Sequence, residues 1–380
     1  MDFDQRLPSQ AETLEELSLP ATPFLQLNNL TKRFGRTVAV DSVSLDIYEG
    51  EFVFLIGPSG CGKTTTLRMV GGYETPSEGE VLIRGQRMTN VPLDKRNIGM
   101  VFQSYALFPH KTVWENVEFG LKTRRIPRSE REERVQAALD LVELSGLEKR
   151  YPAQLSGGQS QRVALARIIV YEPDILLLDE PLANLDKRLR DAMRIELKKL
   201  QEKIGITTLY VTHDQEEALT MGDRIAVMNH GQLLQVGTPS EVYNKPRSHF
   251  VATFLGETSS FQGTVENIVG DVAHIKMDDG FRAAVRHHDD IALGDKLTVS
   301  IRPERVRLSK VSPSRTENTF AGTVEFVEYL GSQAVYMVRL DSGQAIVEAT
   351  ELIPTGKANL EVDDHVYASW ECDQAVYFKD

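Results

Sequence analysis

Apolar runs alternate with helical patterns over residues 24–240. Continuous apolar segments, typical of strands buried on both faces of a parallel sheet, occur at Phe52–Ile56, at residues 174–178 and at residues 207–211. One helix is predicted to begin at a capping box formed by Ser129 and Glu132. The buried stripe of another is predicted at Leu189, Met193, Leu197, Leu200 and Ile204. This alternation predicts an α/β domain.

The pattern changes near residue 256, where short alternating strands replace helices. FQGTVENI, from Phe261, is echoed by FAGTVEFV, from Phe320, and LTVSIRPERVRL, from Leu297, resembles VYASWECDQAVYF, from Val366. We therefore expect residues 256–380 to form an all-β, OB-like barrel of two related halves, acting in regulation or dimerisation. Residues 302–305 are predicted to be a dimer contact, with a ligand-binding regulatory module as the alternative.

The segments outside these two domains have their own composition. Residues 241–255 contain a proline and are expected to form short connecting helices. Residues 1–23 are acidic and punctuated by prolines, and they lack the basic flank and apolar core of a signal peptide. We expect them to be a mobile tail.

Charge and cysteine content exclude several classes of protein. The 43 basic and 55 acidic residues give a net charge of −12, which argues against a nucleic-acid-binding face. No apolar run approaches the roughly 18 residues of a membrane span, so any membrane association is expected to pass through a partner. The two cysteines, Cys61 and Cys372, form neither a disulfide framework nor a metal-type spacing, which indicates a reducing compartment.

The stretch GPSGCGKTT, residues 57–65, directly follows the apolar run at Phe52–Ile56. The spacing of Gly57, Gly62, Lys63 and Thr64 fits a P-loop, in which backbone N–H groups and a helix N-terminus hold phosphates. Lys63 can reach the β- and γ-phosphates and the Thr64 hydroxyl can ligate Mg²⁺. The alternative is a glycine-rich turn without a ligand, which the preceding strand disfavours.

Two further motifs carry candidate chemistry. ILLLDEP places Asp179 and Glu180 at a strand end, where one carboxylate can bind Mg²⁺ and its neighbour can orient or deprotonate water. LSGGQ, residues 155–159, opens a helical pattern and offers a second anion-binding helix start at Ser156. The alternatives are an ordinary acidic turn and a serine-capped helix.

Together these motifs resemble the ATP-binding cassette (ABC) ATPases over residues 24–240. Phe34 stands where that family stacks the adenine, Gln103 matches the Q-loop, and Asp186 lies in the D-loop sequence ANLD. His213, in VTHDQEEA, matches the switch histidine. Ser160 and Ala183 depart from the family pattern, but neither change removes a group that binds phosphate or metal.

The resemblance implies a role for each matching residue, with ATP and Mg²⁺ as cofactors. Phe34 would stack on the base, and the triphosphate would be wrapped by Gly57, Ser59, Gly60, Cys61, Gly62, Lys63, Thr64 and Thr65. Thr64, Gln103 and Asp179 would hold Mg²⁺. Glu180 would act as the base on water, and His213 would contact the γ-phosphate. The signature residues Ser156, Gly157, Gly158 and Gln159 would face the nucleotide of a second copy in a homodimer.

The segment QSYALFP, from Gln103, separates subclasses of this family. Tyr105, Leu107, Phe108 and Pro109 are apolar residues beside the expected γ-phosphate sensor, as a socket for a permease helix would require. A hydrophobic core loop is the alternative. With the C-terminal barrel, the chain is most similar to the spermidine/putrescine importer ATPases.

That similarity implies partners and a location. The expected partners are two membrane permeases and an extracytoplasmic solute-binding protein, with the ATPase on the cytoplasmic face of the inner membrane. ATPases of opine, ferric-iron and sugar importers are alternatives. A soluble regulatory cassette ATPase and an exporter subunit are weaker ones.

Overall fold

The computed structural model describes residues 22–287, 291–313, 317–354 and 358–379. Most of the expected N-terminal tail, residues 1–21, lies outside the described residues. Among the described residues, no helix is long and apolar enough to cross a membrane.

Ten strands and the helices between them form the first domain within the described residues. Its strands are β1 (Leu25–Phe34), β2 (Thr37–Ile47), β3 (Phe52–Ile56), β4 (Glu78–Ile83), β5 (Gln86–Arg87), β6 (Ile98–Val101), β7 (Ile175–Asp179), β8 (Thr207–Thr212), β9 (Arg224–Asn229) and β10 (Gln232–Gly237). Its helices are α1 (Lys63–Gly71), α2 (Val113–Thr123), α3 (Arg128–Leu141), α4 (Gly157–Ile169), α5 (Lys187–Ile204) and α6 (Gln215–Met221).

The central sheet has the order β10-β9-β3-β8-β7-β6, and β10 is its antiparallel edge. The pairs β9–β3, β3–β8, β8–β7 and β7–β6 are parallel. Strand β3 is buried on both faces: Val53 and Leu55 pack with α1, while Phe52, Phe54 and Ile56 pack with α4, α5 and α6. This confirms the predicted α/β fold and its three apolar strands.

A second sheet, antiparallel with the order β2-β1-β4-β5, packs against the core on the α1 side. The α2, α3 and α4 helices form a separate layer around Val117, Val135 and Val163. The predicted capping box at Ser129 is wrong, because α3 begins at Arg128 with Pro127 at its N-cap and no side-chain cap. The buried stripe predicted on α5 is confirmed at Met193 and Leu197.

The second domain is all β in its described residues. Two short helices lead into it, α7 (Pro239–Asn244) and α8 (His249–Phe254). Its strands are β11 (Ser259–Val269), β12 (Val272–Met277), β13 (Arg282–Arg286), β14 (Lys296–Ile301), β15 (Arg307–Ser309), β16 (Asn318–Tyr329), β17 (Gln333–Leu340), β18 (Ile346–Leu352), β19 (His365–Trp370) and β20 (Val376–Lys379).

The two halves of this barrel domain follow one plan. The first sheet has the order β13-β12-β11-β14-β20 and the second β15-β19-β16-β17-β18. The echoed segments occupy β11 and β16, and each has an irregularity after its valine, at Val265 and Val324. The last strand, β20, joins the first sheet and β15 joins the second, so the halves interlock around one core. The predicted OB-like barrel is confirmed.

The junction between the domains uses residues predicted as a dimer contact. Arg302 is buried and donates to the Gly256 and Glu257 carbonyl oxygens at 2.8 and 3.1 Å. The Tyr243 hydroxyl donates to Glu304 at 2.7 Å, and burial, with that carboxylate, raises the pKa of Tyr243 to about 12. Within this chain the Arg302 guanidinium holds the domain junction, and the dimer contact at residues 302–305 stays a prediction.

Candidate nucleotide site

The loop between β3 and α1 presents backbone rather than side chains. Gly62 is the N-cap of α1 at φ +107°, a conformation that disfavours side chains, and a Cβ there would lie 2.5 Å from the Ala39 carbonyl oxygen. No side chain caps α1, and the first amides of a helix have no intrahelical acceptor. The helix start is thus able to bind an anion, as the sequence predicts.

Lys63 lies within this loop rather than in solvent. Its side chain is buried, and Nζ donates to the carbonyl oxygens of Gly57 at 2.8 Å and Pro58 at 2.9 Å. The same nitrogen is 3.8 Å from the Cys61 Sγ, and burial raises the pKa of that thiol. The ammonium is held among the loop carbonyls, where an arriving phosphate can accept its hydrogen bonds.

Thr64 and Asp179 meet across the end of the sheet. The Thr64 hydroxyl donates to Asp179 Oδ1 at 3.1 Å, and burial raises the pKa of the Asp179 carboxyl. A hydroxyl and one desolvated carboxylate suit Mg²⁺, which is usually bound by one or two carboxylates plus phosphate and water. Gln103 follows β6, the neighbour of β7, and its side chain is exposed at the same sheet edge.

Glu180 follows Asp179 in the left-handed region, at φ +48°. Its N–H donates to the Val211 carbonyl oxygen at 2.9 Å, and its Oε2 lies 3.1 Å from His213 Nδ1. Because such a φ is unfavourable for a residue with a Cβ, neighbouring contacts must hold it, and strained backbone of this kind clusters at functional sites. The structure thus joins the two residues predicted to be catalytic.

A charged cluster behind His213 was not found from the sequence. Asp214 Oδ1 caps α6, and its Oδ2 accepts from Arg190 at 3.4 Å and Arg194 at 3.0 Å. Arg190 also donates to the Leu185 carbonyl oxygen at 3.1 Å. The D-loop and the switch histidine are therefore linked through α5, a contact between distant positions that no short motif encodes.

The signature motif forms the start of α4. Ser156 and Gln159 make a reciprocal capping box, with the Ser156 Oγ accepting from the Gln159 N–H at 3.3 Å. Ser156 and Gly157 are exposed and Gly158 is buried. Within residues 22–287, no hydrogen bond or ion pair joins the signature side chains to the P-loop. The first signature residues, Ser156 and Gly157, are therefore exposed on the surface of their own chain.

The D-loop lies between these motifs. Asp186 Oδ1 caps α5 by accepting from the Leu189 N–H at 3.0 Å. The Asn184 side chain donates to the Gln103 carbonyl oxygen at 2.8 Å, and a Cβ at Gly157 would lie 3.0 Å from Leu185. One short segment thus contacts both the Q-loop and the signature motif.

Phe34 ends β1 with 49% of its surface exposed. The Lys32 Nζ lies 4.9 Å from the centre of its ring, and Lys32 is itself held by Glu74 at 2.9 Å. An aromatic ring with this exposure is accessible for stacking with a planar group.

The predicted permease socket is only partly exposed. Pro109 is exposed, whereas Tyr105, Leu107 and Phe108 are half-buried, and the buried Tyr105 hydroxyl has no hydrogen-bond partner among the described residues. The Phe108 ring lies 4.6 Å from Phe119.

Comparison with known proteins identifies both domains. A family model described as ABC transporter matches residues 40–183, a span that includes the P-loop, Gln103, the signature motif and Glu180. A model described as TOBE domain matches residues 299–378. Spermidine/putrescine import ATP-binding protein PotA of Rubrobacter xylanophilus is 51% identical over 325 residues, 85% of each chain. The protein of the same name from Thermobifida fusca, also a PotA, is 45% identical over 371 residues, 96% of each chain.

Solved structures cover the first domain. CbiO1 from Clostridium perfringens, part of the ABC transporter complex cbiONQ, is 31% identical with a TM-score of 0.55, covering 58% of this chain and 90% of that chain. A dimeric structure of the ATP-binding cassette MJ0796 bound to ADP and Pi is 37% identical with a TM-score of 0.51, covering 57% of this chain and 98% of that one. With the P-loop geometry and relatives that match nearly the whole length, the chain belongs to the ABC transporter family, as an ATP-binding, ATP-hydrolysing import subunit.

Proposed function

We propose that this chain hydrolyses ATP to energise uptake of a polyamine, spermidine or putrescine. The observation that carries the hydrolytic role is the pairing of Glu180 with His213 at the sheet edge where Thr64 meets Asp179. Glu180 accepts the proton of the attacking water, and His213 orients Glu180 and contacts the γ-phosphate. This pair puts a base and a hydrogen-bonding side chain beside the phosphate loop.

The remaining residues bind and orient the nucleotide. Phe34 stacks on the base, and residues 57–65, without Pro58, wrap the phosphates. Thr64, Asp179 and Gln103 would hold Mg²⁺, which would neutralise phosphate charge. Lys63 exchanges its two carbonyl acceptors for phosphate oxygens, so that the ammonium stays hydrogen-bonded throughout.

The chain acts as a homodimer with two nucleotides between the copies. Support comes from the exposed signature residues Ser156 and Gly157, which have no hydrogen bond to their own P-loop within the described residues 22–287. The cassette related at 37% identity was captured as a dimer with ADP and Pi. Asp186 and the signature residues then complete the site of the second copy.

The transport partners follow from the relatives. The names of the PotA proteins state spermidine/putrescine import, and import requires permeases to cross the membrane and a binding protein to deliver solute. We therefore place the chain on the cytoplasmic face of the inner membrane, bound through the 103–109 loop to two permeases. An importer ATPase for opines, ferric iron or sugars is the alternative, because the solute is chosen by the partner proteins.

The test is transport in proteoliposomes that contain the co-purified permeases, with ATP inside and the binding protein outside. Uptake of spermidine, putrescine, an opine, ferric iron and maltose is compared, and Glu180→Gln serves as the control without hydrolysis. We expect ATP-dependent uptake of spermidine and putrescine only. Uptake of another solute alone overturns the polyamine assignment, and failure to recover any permease favours the soluble cassette ATPase.

A further inference from the structure

Arg167 forms an unusual contact with the loop that follows Gln103. Its Nη1 donates to the Ala106 carbonyl oxygen at 2.7 Å and its Nη2 to the Tyr105 carbonyl oxygen at 2.9 Å. Both loop residues adopt left-handed conformations, at φ +58° for Tyr105 and +47° for Ala106. Two consecutive residues with a Cβ in this region are unfavourable, so the turn depends on its outside contacts.

The guanidinium is suited to hold this turn. A planar fork with five N–H donors can serve two neighbouring oxygens at once, which a lysine ammonium cannot match in geometry. Burial lowers the pKa of Arg167, and among the described residues its hydrogen bonds go to backbone carbonyls rather than to a carboxylate. Its Cζ lies 5.7 Å from the centre of the Phe108 ring. Among the described residues, this cation therefore contacts the two loop carbonyls and the Phe108 ring, and it interacts electrostatically with Tyr171.

The position of Arg167 on α4 links this turn to the signature motif. The helix begins at Gly157 with Ser156 as its N-cap, and Arg167 lies on the same helix near its C-terminal end. A helix of this length moves as one body, so a displacement at Ser156 also displaces the guanidinium. Two other hydrogen bonds hold the loop on either side of this turn. The Asn184 side chain donates to the Gln103 carbonyl oxygen, and the Asn116 side chain accepts from the Phe108 N–H at 2.8 Å.

We infer that Arg167 is a positioning residue that transmits the position of α4, and hence the state of the signature motif, to the turn at Tyr105 and Ala106. The permease contact then responds to the nucleotide bound by the partner copy as well as to the chain's own nucleotide. This deepens, and rests on, the proposed function. Helix α4 would then have two roles: it presents Ser156 to the second copy, and it positions the turn at Tyr105 and Ala106.

The experiment compares Arg167→Met and Arg167→Lys with a matched control, Arg124→Met. Arg124 stacks on Tyr171, just beyond α4, with its Cζ 3.7 Å from the ring centre, and within the described residues it has no hydrogen bond or ion pair with the 103–109 loop. For the full chain alone, we measure thermal stability, ATPase kinetics and hydrogen exchange of the 103–108 amides with and without MgATP. With permeases, we measure the ratio of uptake to ATP hydrolysed.

We expect the ATPase of the detached Arg167→Met chain to stay within about twofold of wild type. Exchange of the 103–108 amides should rise about tenfold and should no longer respond to MgATP. The ratio of uptake to hydrolysis should fall about fivefold or more. Arg167→Lys should fall between, since it keeps the charge and loses the fork. The Arg124→Met chain should behave as wild type in all four measurements.

Two results overturn the inference. In the first, Arg167→Met keeps wild-type exchange and its response to MgATP. In the second, both Arg167 variants lose ATPase and thermal stability together, which makes Arg167 a structural residue of the core. Exchange is measured without permeases, so the link from α4 to the loop is judged even if no solute is transported. Failure of transport in wild type contradicts the proposed function instead.

Discussion

Glu180 Oε2 lies 3.1 Å from His213 Nδ1, a contact that joins the end of β7 to the end of β8. The two side chains differ in exposure, since the Glu180 side chain is 23% exposed and that of His213 is 58% exposed. The carboxylate is therefore partly sheltered, while the imidazole faces the surface on which a second copy is proposed to dock. This geometry lets the histidine orient the base and still reach a phosphate.

Replacing Glu180 with glutamine should stop turnover without preventing ATP binding. The amide keeps the size of the side chain and its contact with His213, but it cannot accept a proton from water. A general base is typically worth about 10²–10⁴-fold in rate, so kcat should fall by that factor. ATPase rates, ATP affinity and dimer formation by size-exclusion chromatography check this, and ATP should trap the dimer.

The matched control is Glu172→Gln, which alters an exposed glutamate at another left-handed position. It should retain wild-type turnover. If Glu180→Gln hydrolyses ATP within about threefold of wild type, a different group acts as the base.

Truncating Phe34 should weaken nucleotide binding while leaving the fold intact, because its ring is half-exposed. Stacking of a base on an aromatic side chain is worth roughly 1–3 kcal/mol. Phe34→Ala should therefore raise the Kd for ATP about 5- to 150-fold, as measured by calorimetry.

Phe34→Trp keeps an aromatic face and should bind ATP with near wild-type affinity. A Kd that is unchanged in Phe34→Ala, for ATP and GTP alike, would exclude the stacking role.

The parts of the fold that the sequence predicts are those with local signals. The run Phe52–Ile56 is apolar at every position because β3 is buried on both faces, so its identity as a strand was evident. The capping box expected at Ser129 failed because Pro127, which fixes its own φ, stands at the N-cap and starts α3 before the serine. Capping boxes do occur where Thr112 and Thr238 start helices.

The candidate site likewise contains residues that have a local sequence signal and residues that have none. Lys63 and Thr64 lie in one contiguous motif, Glu180 follows an apolar strand, and the family pattern supplied His213. Arg167 contacts Ala106 across 61 positions of sequence, and Arg190 contacts Asp214 across 24. Arginines on helix surfaces usually form solvated ion pairs, so neither residue carries a signal in its own segment. Only the packing of α4 and α5 reveals them.

Glu217 should make stability depend on pH. It is buried beside Tyr210, whose hydroxyl donates to Glu217 Oε2 at 2.8 Å, and burial raises the pKa of the Glu217 carboxyl. A carboxyl whose pKa is higher in the folded than in the unfolded state stabilises the folded state while it is protonated. This stabilisation is complete at pH values below the unfolded pKa of about 4.3. The stabilisation is lost as the pH rises through the folded pKa. The free energy of unfolding then falls by about 1.4 kcal/mol for each pH unit that separates the folded pKa from the unfolded pKa.

Glu217→Gln cannot ionise, so its Tm relative to wild type should be higher at pH 8 than at pH 4.5. The Tm difference between variant and wild type should change by about 2–4 °C for each kcal/mol of stability that wild type loses on ionisation of Glu217. Differential scanning calorimetry at the two pH values provides the measurement. Glu172→Gln, which removes an exposed carboxylate, is measured under the same conditions as a control for the substitution itself. A constant difference for Glu217→Gln would mean that Glu217 has the same pKa folded and unfolded.

Phe108 provides the sharpest test of the link from hydrolysis to transport. Its ring packs on Phe119 and its N–H is held by Asn116, so the side chain is part of a fixed turn beyond Gln103. Phe108→Ala should leave the ATPase of the detached chain near normal, because the residue makes no recorded contact with the described P-loop residues. In the assembled complex, stimulated ATPase and uptake should be lost, since a truncated aromatic hot spot typically costs about 2 kcal/mol or more of binding.

Phe119→Ala is the control that separates a docking role from simple packing, because it removes the same ring pair from the other side. Co-purification of the permeases at matched expression reports assembly. If Phe108 contacts the permease directly, Phe108→Ala should impair assembly or uptake far more than Phe119→Ala does. Equal losses in the two variants would mean that the ring pair only supports the turn. Loss of ATPase in the detached Phe108→Ala chain would place Phe108 in the core, because hydrolysis there needs no permease.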